Sequence, residues 1–289
     1  MGPDHQTGFI KLSHFSVKEY LISEYVQNHA VKQVRDFSFS KNLSDSVISQ
    51  ICLAYLLQFQ SSEPLHMNVN VSFPLAQYAA QHWITHAHSG SKDKSQSSLV
   101  FVLMMKLLTD ENAAFLNWVQ FCDIDHLYWM DLRKRRVKIA KALYCASLAG
   151  LTEASCDLLE MGADVNAKGG NYGSALQAAL NGGDEAIAKL LIEKGADVNA
   201  QRGRYGNPLQ AASNRGSKAI VMLLIQKGVD INIWGGEYGN ALQAASNKGH
   251  EAIVKLLIEL GADVNLHGGK YGNALQAASN KARRSLSSC

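Results

Sequence analysis

Residues 240–265, NALQAASNKGHEAIVKLLIELGADVN, decide the fold of this chain. Asn240 is of a residue type that often caps the start of a helix, and small apolar residues follow it at helical spacing. The polar turn Asn247–His250 ends that helix. A second, more apolar helix then runs to Gly261, and glycine is the residue best suited to a left-handed C-cap. The stretch therefore predicts two short helices followed by an extended turn.

The same pattern recurs at a step of 33 residues, for example from position 172 to position 205. Four series keep that step in register: Tyr172, Tyr205, Tyr238, Tyr271; Leu176, Leu209, Leu242, Leu275; Gly162, Gly195, Gly228, Gly261; and Asp164, Asp197, Asp230, Asp263. A fixed period of this length is typical of a solenoid. Small alanines let neighbouring first helices stack closely, whereas the bulkier second helices spread apart, so we expect a curved array.

The start of each unit is similar to the T-P-L-H-x-A signature of ankyrin repeats. It stands as Ser174–Ala179 in one unit and as Asn207–Ala212 in the next, with Gln in place of the usual His. An earlier unit begins at Ala142 and lacks the Tyr-Gly turn. The resemblance implies an all-α ankyrin solenoid of helix-turn-helix units with β-turn fingers. It would occupy residues 140–289 as four full helix pairs and a truncated fifth.

Residues 1–130 lack this period and predict a small, mainly helical domain. We expect helices at about residues 44–59, from Pro74 through Trp83, and at about 98–108 and 112–121. The apolar side of the first is expected to be Val47, Ile48, Ile51, Cys52, Tyr55 and Leu56. Ahead of them, Phe9–Leu12 alternates like a strand, and Ser16–Glu19 has the pattern of a capping box. We expect the last helices to cover the open face of the first repeat, because solenoids need caps.

Several segments resemble fungal NOD-like (STAND) proteins, in the stretch between their NACHT nucleotide-binding module and their ankyrin array. The matching segments are Ile10–Leu21, Cys52–Leu57, Phe73–Trp83, Ala113–Trp118 and Leu143–Gly150. The resemblance implies that the first segment ends a winged-helix domain and that the repeats sense a ligand. In that family the NACHT module oligomerises.

The chain departs from that family in two ways. It has no G-x-x-x-x-G-K-[ST] loop to cradle a triphosphate, so we expect no bound nucleotide. The last unit also breaks off at Lys281, where the family would continue with a second helix. These departures predict a piece of such a receptor, either a stand-alone paralogue or a truncated gene model.

Composition restricts the class of protein further. The chain is 47% apolar and 18% charged, as folded proteins are, and its net charge of +3 is too small to indicate nucleic acid. The longest apolar run, Leu99–Met105, is far too short to span a bilayer. No secretory signal begins the chain, and its five scattered cysteines are typical of a reducing compartment. We therefore expect a cytoplasmic protein without a membrane segment.

Motifs for catalysis and metal binding are weak. His82, His86 and His88 include a pair at helical spacing, but Trp83 stands where the zincin motif needs a glutamate, so a polar helix end is the favoured interpretation. No G-x-S-x-G nucleophile elbow occurs. The segment Phe9–Leu21 carries only two cations, too few for a DNA-binding winged helix. We expect no enzyme, no cofactor, no metal and no nucleic acid.

A basic cluster, Arg133, Lys134, Arg135 and Arg136, lies in the predicted linker 131–139. Such clusters are recognised by nuclear import factors. A solvated linker between two domains is the simpler interpretation, so nuclear localisation stays an alternative to a cytoplasmic one.

The candidate partner-binding residues are those that differ between units at equivalent exposed positions, while the framework residues stay fixed. They are Lys168, Asn171, Gln201, Arg202, Arg204, Arg215, Trp234, Glu237, Lys248, His267 and Lys270. Neutral drift of surface residues remains the competing explanation. Trp234 favours contact, because exposed aromatic residues often anchor interfaces.

The sequence thus predicts a non-enzymatic scaffold that binds a protein or peptide on its concave ankyrin face and is related to fungal NOD-like sensors. A nuclear regulatory adaptor is one alternative, and a truncated fragment without independent function is another.

Overall fold

A computed structural model of the chain describes residues 41–59, 75–90, 98–109, 113–122 and 142–287. These segments contain thirteen helices and no strand, with three isolated antiparallel bridges between glycines. The predicted all-helical class is confirmed. The strand expected at Phe9–Leu12, the capping box at Ser16–Glu19, Pro74 and the basic cluster Arg133–Arg136 lie outside the described residues. The domain limits at 130 and 139 stay predictions.

Ahead of the repeats, the described segments contain four helices, close to the predicted positions. They are α1 (Lys41–Leu56), α2 (Ala76–Gly90), α3 (Leu99–Thr109) and α4 (Ala113–Phe121). Their core is aromatic: the Trp83 and Trp118 rings meet edge to face at 5.5 Å, and Phe115 packs against Trp118 at 5.8 Å. The Trp118 indole N–H donates to the Ala80 carbonyl at 3.1 Å, so this buried polar group is satisfied.

The predicted apolar side of α1 is wrong in part. Val47 and Ile51 are 44% and 58% exposed, whereas Asp45 and Ser49 are buried. The reason is that both polar side chains find partners on α2. Asp45 Oδ1 lies 2.7 Å from the Nδ1 atom of His86, and the Ser49 hydroxyl donates to a main-chain carbonyl at 3.2 Å. These bonds offset the cost of burying polar groups, which apolar periodicity alone does not anticipate.

The repeats follow as paired helices. The first helices are α5 (Ala142–Leu148), α7 (Ala175–Gly182), α9 (Pro208–Arg215), α11 (Ala241–Lys248) and α13 (Ala274–Ser287). The second helices are α6 (Thr152–Glu160), α8 (Glu185–Glu193), α10 (Lys218–Gln226) and α12 (Glu251–Glu259). Asn240 caps α11 as predicted, its side chain accepting from the Gln243 N–H, and Gly261 has a φ of +91°.

The N-terminal helices contact the start of the array. Helix α3 packs against α6, the second helix of the first repeat. The His88 ring, near the end of α2, bonds the Ala149 carbonyl through Nε2 at 2.8 Å. One of the two last helices of this segment, α3, therefore covers the first repeat, whereas α4 packs against α2 and α3.

The first helices pack on one another more extensively than the second helices do. The side chains at their interfaces are small, and Ala178, Ala211 and Ala244 are at most 1% exposed. We call the four loops at residues 167–173, 200–206, 233–239 and 266–272 the fingers. The fingers, the first helices and the turns that follow these helices form the inner face, and the second helices with the loops after them form the outer face.

Helix α13 differs from the other first helices. It is 14 residues long, and no second helix covers it within the described residues. Leu275 is consequently 78% exposed, although its equivalent Leu242 is 3% exposed. The same residue type thus occupies two very different environments at equivalent repeat positions.

Leu242→Ala should destabilise the chain by about 2–5 kcal/mol, because it removes a buried leucine from a packed core. Leu275→Ala is the matched control and should change the free energy of unfolding by less than about 0.5 kcal/mol, as exposed substitutions do. Urea unfolding followed by circular dichroism measures both. Equal losses in the two variants would contradict the described environment of Leu275.

Candidate protein-binding surface

Neighbouring fingers are joined by a ladder of main-chain hydrogen bonds. The Arg204 N–H donates to the Asn171 carbonyl at 3.1 Å, the Glu237 N–H donates to the Arg204 carbonyl at 3.0 Å, and the Lys270 N–H donates to the Glu237 carbonyl at 2.8 Å. Equivalent residues of successive repeats are therefore direct neighbours. Their side chains form one column along the inner face.

Glycine makes this close approach possible. A Cβ atom at Gly203 would lie 2.0 Å from the Tyr172 carbonyl oxygen, and one at Gly236 would lie 2.3 Å from that of Tyr205. Both glycines also have a positive φ, near +69° and +64°, which other residues adopt at a cost. The finger tips consequently tolerate no side chain at these positions.

The tyrosines of the repeat form a continuous stack beside the fingers. Ring centroids of successive tyrosines are 5.8, 6.1 and 6.1 Å apart, from Tyr172 through Tyr205 and Tyr238 to Tyr271. The first three rings are about 6% exposed, so the stack belongs to the framework and offers little surface to a ligand. The centroid spacing is also the step of the array at this depth, about 6 Å.

Asparagines on two first helices hold the Tyr205 hydroxyl. The Tyr205 hydroxyl donates to Asn181 Oδ1 at 2.8 Å and accepts from Asn214 Nδ2 at 3.4 Å. Burial, together with the neighbouring Tyr172 and Tyr238, raises the pKa of the Tyr205 phenol to about 12. The phenol stays protonated at neutral pH and acts as a hydrogen-bonding bridge between two repeats.

The glutamine that replaces the usual histidine ties three of the first helices, α7, α9 and α11, to the next finger. Gln210 Nε2 donates to the carbonyls of Gly235 and Gly239, at 3.0 and 3.2 Å, and Gln177 Nε2 donates to the Arg202 carbonyl at 3.0 Å. These amides are buried. The glutamine row therefore fixes the last three fingers relative to the first helix of the preceding repeat.

Among the predicted partner-binding residues, one acidic residue is bonded to two basic ones. Arg204 Nε donates to Glu237 Oε2 at 2.7 Å, and Lys270 Nζ donates to Glu237 Oε1 at 3.4 Å. The bond from Arg204 lowers the pKa of the Glu237 carboxyl, and the same bond raises the pKa of the guanidinium. These three candidate positions are therefore coupled, and one carboxylate offsets only part of the charge of the two cations beside it.

Two further candidate arginines are anchored to the main chain of the preceding repeat. Arg202 Nη1 donates to the Asn166 carbonyl at 3.3 Å, and Arg215 Nη2 donates to the Gly182 carbonyl at 3.1 Å. Arg215 remains exposed, whereas Arg202 is half-buried. Each guanidinium is thus held in a defined place, and its remaining N–H groups can donate to a partner.

The remaining candidates lie on the surface, as predicted. Exposed side chains are those of Lys168, Asn171, Gln201, Lys248, His267 and Trp234. Trp234 is 58% exposed, and a Cβ atom added at Gly268 would lie 2.4 Å from its indole nitrogen. The indole therefore lies against the next finger with much of its surface free. Arg133, Lys134, Arg135 and Arg136 are outside the described residues.

His82, His86 and His88 each contact protein groups. His86 is bonded to Asp45 and, through Nε2, to the Tyr78 hydroxyl at 2.9 Å, while His82 packs on the Tyr78 ring and His88 bonds the array. Within the described segments, no three His, Cys, Asp or Glu side chains are grouped so that they would hold a metal ion.

A cleft of about 290 Å³ lies where α3 meets the first repeat. Its lining includes Leu108, Leu143, Leu158 and Met161, with Asp164 beside them. One carboxylate among apolar side chains supplies no pair of groups for acid and base chemistry. The inner face is accordingly the better candidate site.

The repeat pattern predicts that the tyrosines belong to the framework and that Gln stands in place of the usual His, but the row of asparagines was not anticipated. The signal was present, because Asn181 and Asn214 follow the same 33-residue step as the leucines. What the sequence does not show is that these amides bond across repeats instead of facing solvent.

Comparison with known proteins identifies the repeats. Residues 175–268 match the family model of ankyrin repeats in three copies, which confirms the predicted solenoid. A relative from Monascus ruber, "Azaphilone pigments biosynthesis cluster protein L", is 34% identical over 193 residues. The alignment covers 63% of this chain and 40% of that protein, so the chain spans about two fifths of the length of the relative.

A membrane-spanning helix is not found in the described segments, whose helices are too short or too polar for a bilayer.

Alkaline pH should weaken the tyrosine–asparagine bridge. Because the pKa of Tyr205 is about 12 in the folded chain and near its ordinary value of 10.0 when unfolded, the folded state holds the proton more tightly. This contribution to stability is complete below pH 10 and is lost as the pH rises towards 12. Urea unfolding across this range, with tyrosine ionisation followed by ultraviolet absorbance, measures the effect. Tyr205→Phe should lack the late ionisation and should lose less stability over this range, and an unchanged titration curve would contradict the assignment.

Proposed function

We propose that this chain is a non-enzymatic scaffold that binds a protein or peptide on its inner face. One observation carries the proposal: an invariant framework presents unlike exposed side chains at equivalent finger positions, namely Gln201, Trp234 and His267. A uniform scaffold with variable contact residues is the arrangement by which solenoids bind extended partners. The ankyrin repeats of residues 175–268 support a role in protein–protein interaction.

The use of the recurring polar side chains supports a non-catalytic role. The buried Gln177 and Gln210 and the half-buried Asn181 bond neighbouring repeats, and the Glu237 carboxylate binds two cations of its own column. A catalytic group must instead be free to reach a substrate. The polar groups that recur along the array thus serve its geometry.

We further propose that the chain is related to fungal NOD-like receptors. Its support is the resemblance of segments such as Cys52–Leu57 and Ala113–Trp118, which contribute to the helical core ahead of the repeats. In this role the array would sense a ligand protein in the cytoplasm. A fragment without independent function is the alternative, and it predicts that no specific partner is found.

A nuclear adaptor is a second candidate, favoured by the basic cluster Arg133–Arg136. A fluorescently tagged chain should then accumulate in the nucleus, and replacement of the four basic residues by alanine should return it to the cytoplasm. Equal distribution of both forms would argue against import through this cluster.

The name of the Monascus ruber relative favours a role for such a scaffold beside the enzymes of a biosynthetic cluster. An accessory protein that holds enzymes of a biosynthetic cluster together would need a binding face and no catalytic site. In this setting, the proteins captured by the chain from its source cells would include biosynthetic enzymes.

Trp234→Ala should weaken binding of a captured partner by roughly thirtyfold or more, the loss expected when an interface anchor is truncated. Met222→Ala is the matched control, because Met222 is a large apolar residue on the outer helix α10 and is 43% exposed. It should leave the affinity unchanged. Partners are captured from cells with the full chain as bait, and their affinity for each purified variant is measured by calorimetry.

Two results would contradict this proposal. Equal affinities of Trp234→Ala and the parent chain would exclude Trp234 as an anchor. A fall in thermal stability as large as that of Leu242→Ala would show instead that Trp234 supports the fold.

A further inference from the structure

The charges of the repeats are divided between the two faces. Within residues 142–283, the inner face carries eight Lys and Arg residues and one acidic residue, a net charge of +7. The outer face, comprising residues 151–166, 184–199, 217–232 and 250–265, carries five lysines and twelve acidic residues, a net charge of −7. The net charge summed over both faces is therefore nearly neutral, although each face alone is strongly charged. Such a separation of charge steers charged partners.

The one acidic residue of the inner face does not offset this charge for a visiting partner. Glu237 is 24% exposed and is engaged by both Arg204 and Lys270, whose side chains are 46% and 54% exposed. The column thus presents two cations to solvent around a shielded carboxylate. Arg215, Lys248 and Lys168 add exposed cations on the same face.

The spacing of the repeats at the tyrosine stack, beside the fingers, is close to the spacing of alternate residues in an extended polypeptide. Successive repeats are 5.8–6.1 Å apart at the tyrosine stack. An extended strand rises about 3.3 Å per residue, so the side chains on one side of it recur about every 6.6 Å. Alternate residues of such a segment would meet successive repeats one by one, and the long Arg and Lys side chains absorb the small difference.

We propose that the inner face binds an extended acidic segment of a protein, with carboxylates at alternate positions that meet successive repeats. This inference rests on the proposed binding function and adds the chemistry of the partner. Guanidinium groups held in place, like that of Arg215, suit carboxylates because their paired donors fit the two oxygens.

Single-stranded nucleic acid also carries closely spaced negative charge, but the face lacks what bases need. Proteins that bind single strands stack the bases on exposed aromatic rings. Here the rings of Tyr172, Tyr205 and Tyr238 are about 6% exposed and stacked on one another. Trp234 is the one large exposed aromatic residue of the described fingers, beside the smaller His267 and the half-buried Tyr271. A peptide is therefore the better fit.

The test uses the full chain and synthetic peptides of about eight residues, long enough to span four repeats. Fluorescence anisotropy at low salt measures the affinity of the chain for a peptide of alternating Glu and Thr. Three controls are compared with it: a peptide of the same composition with Glu and Thr in two blocks, a peptide of alternating Lys and Thr, and single-stranded DNA of similar length. The alternating acidic peptide should bind best, and added salt should weaken its binding.

Matched charge reversals locate the site. The double variant Lys168→Glu/Lys248→Glu alters two exposed inner-face residues, and Lys189→Glu/Lys255→Glu makes the same change in charge on the outer helices α8 and α12. The inner variant should lower the affinity for the alternating acidic peptide about tenfold, whereas the outer variant should change it far less. Glu237→Gln should raise the affinity, because it frees Arg204 and Lys270.

Three results would overturn the inference: no preference for the alternating acidic peptide over the lysine peptide, tighter binding of DNA, or equal losses in the inner and outer variants. A failure of this inference can be distinguished from a failure of the proposed binding function. If Trp234→Ala still weakens a captured partner while the acidic peptide does not bind, the scaffold role stands and only the acidic chemistry is wrong.

Discussion

Neighbouring fingers approach so closely that a single methyl group does not fit between them at their tips. Gly203 and Gly236 sit against the carbonyls of the preceding finger at distances that only a hydrogen atom allows. This contact accompanies a step of about 6 Å between repeats at the buried tyrosine stack beside the fingers. The alanines between first helices and the cross-repeat amides of Gln177 and Gln210 are consistent with the same step. Larger residues at the tips would separate the fingers and break all of these contacts together.

That close step also determines what is left for binding. The rings, amides and glycines of the repeats are used by their neighbours, so the groups of the inner face that a partner could reach are the exposed side chains of the fingers and turns. Those side chains are mainly basic, apart from Trp234 and the shielded Glu237. The outer face carries most of the acidic residues, which keeps the chain nearly neutral and opposes association between like faces of two copies. The residues that build the framework are thus mostly buried and uncharged, whereas those available for recognition are exposed and mainly basic.

Much of this architecture was predictable from the sequence because the repeat multiplies each local signal. The caps at Asn240 and Gly261 and the pairing of helices followed directly from residue type and period. The buried side of α1 was not predictable, since Asp45 and Ser49 are buried only because partners on α2 satisfy them. The pairing of Arg204 with Glu237 was missed for a similar reason: residues 33 positions apart look independent until the step between repeats is known.

Hydrogen–deuterium exchange of the full chain, with and without a captured partner, tests the binding face most directly. We expect the partner to slow exchange in the fingers and in the turns after the first helices, around residues 200–206, 215–217 and 233–239. Exchange on the second helices α8, α10 and α12 should change little. Protection confined to those second helices, with the fingers unaffected, would contradict an inner binding face.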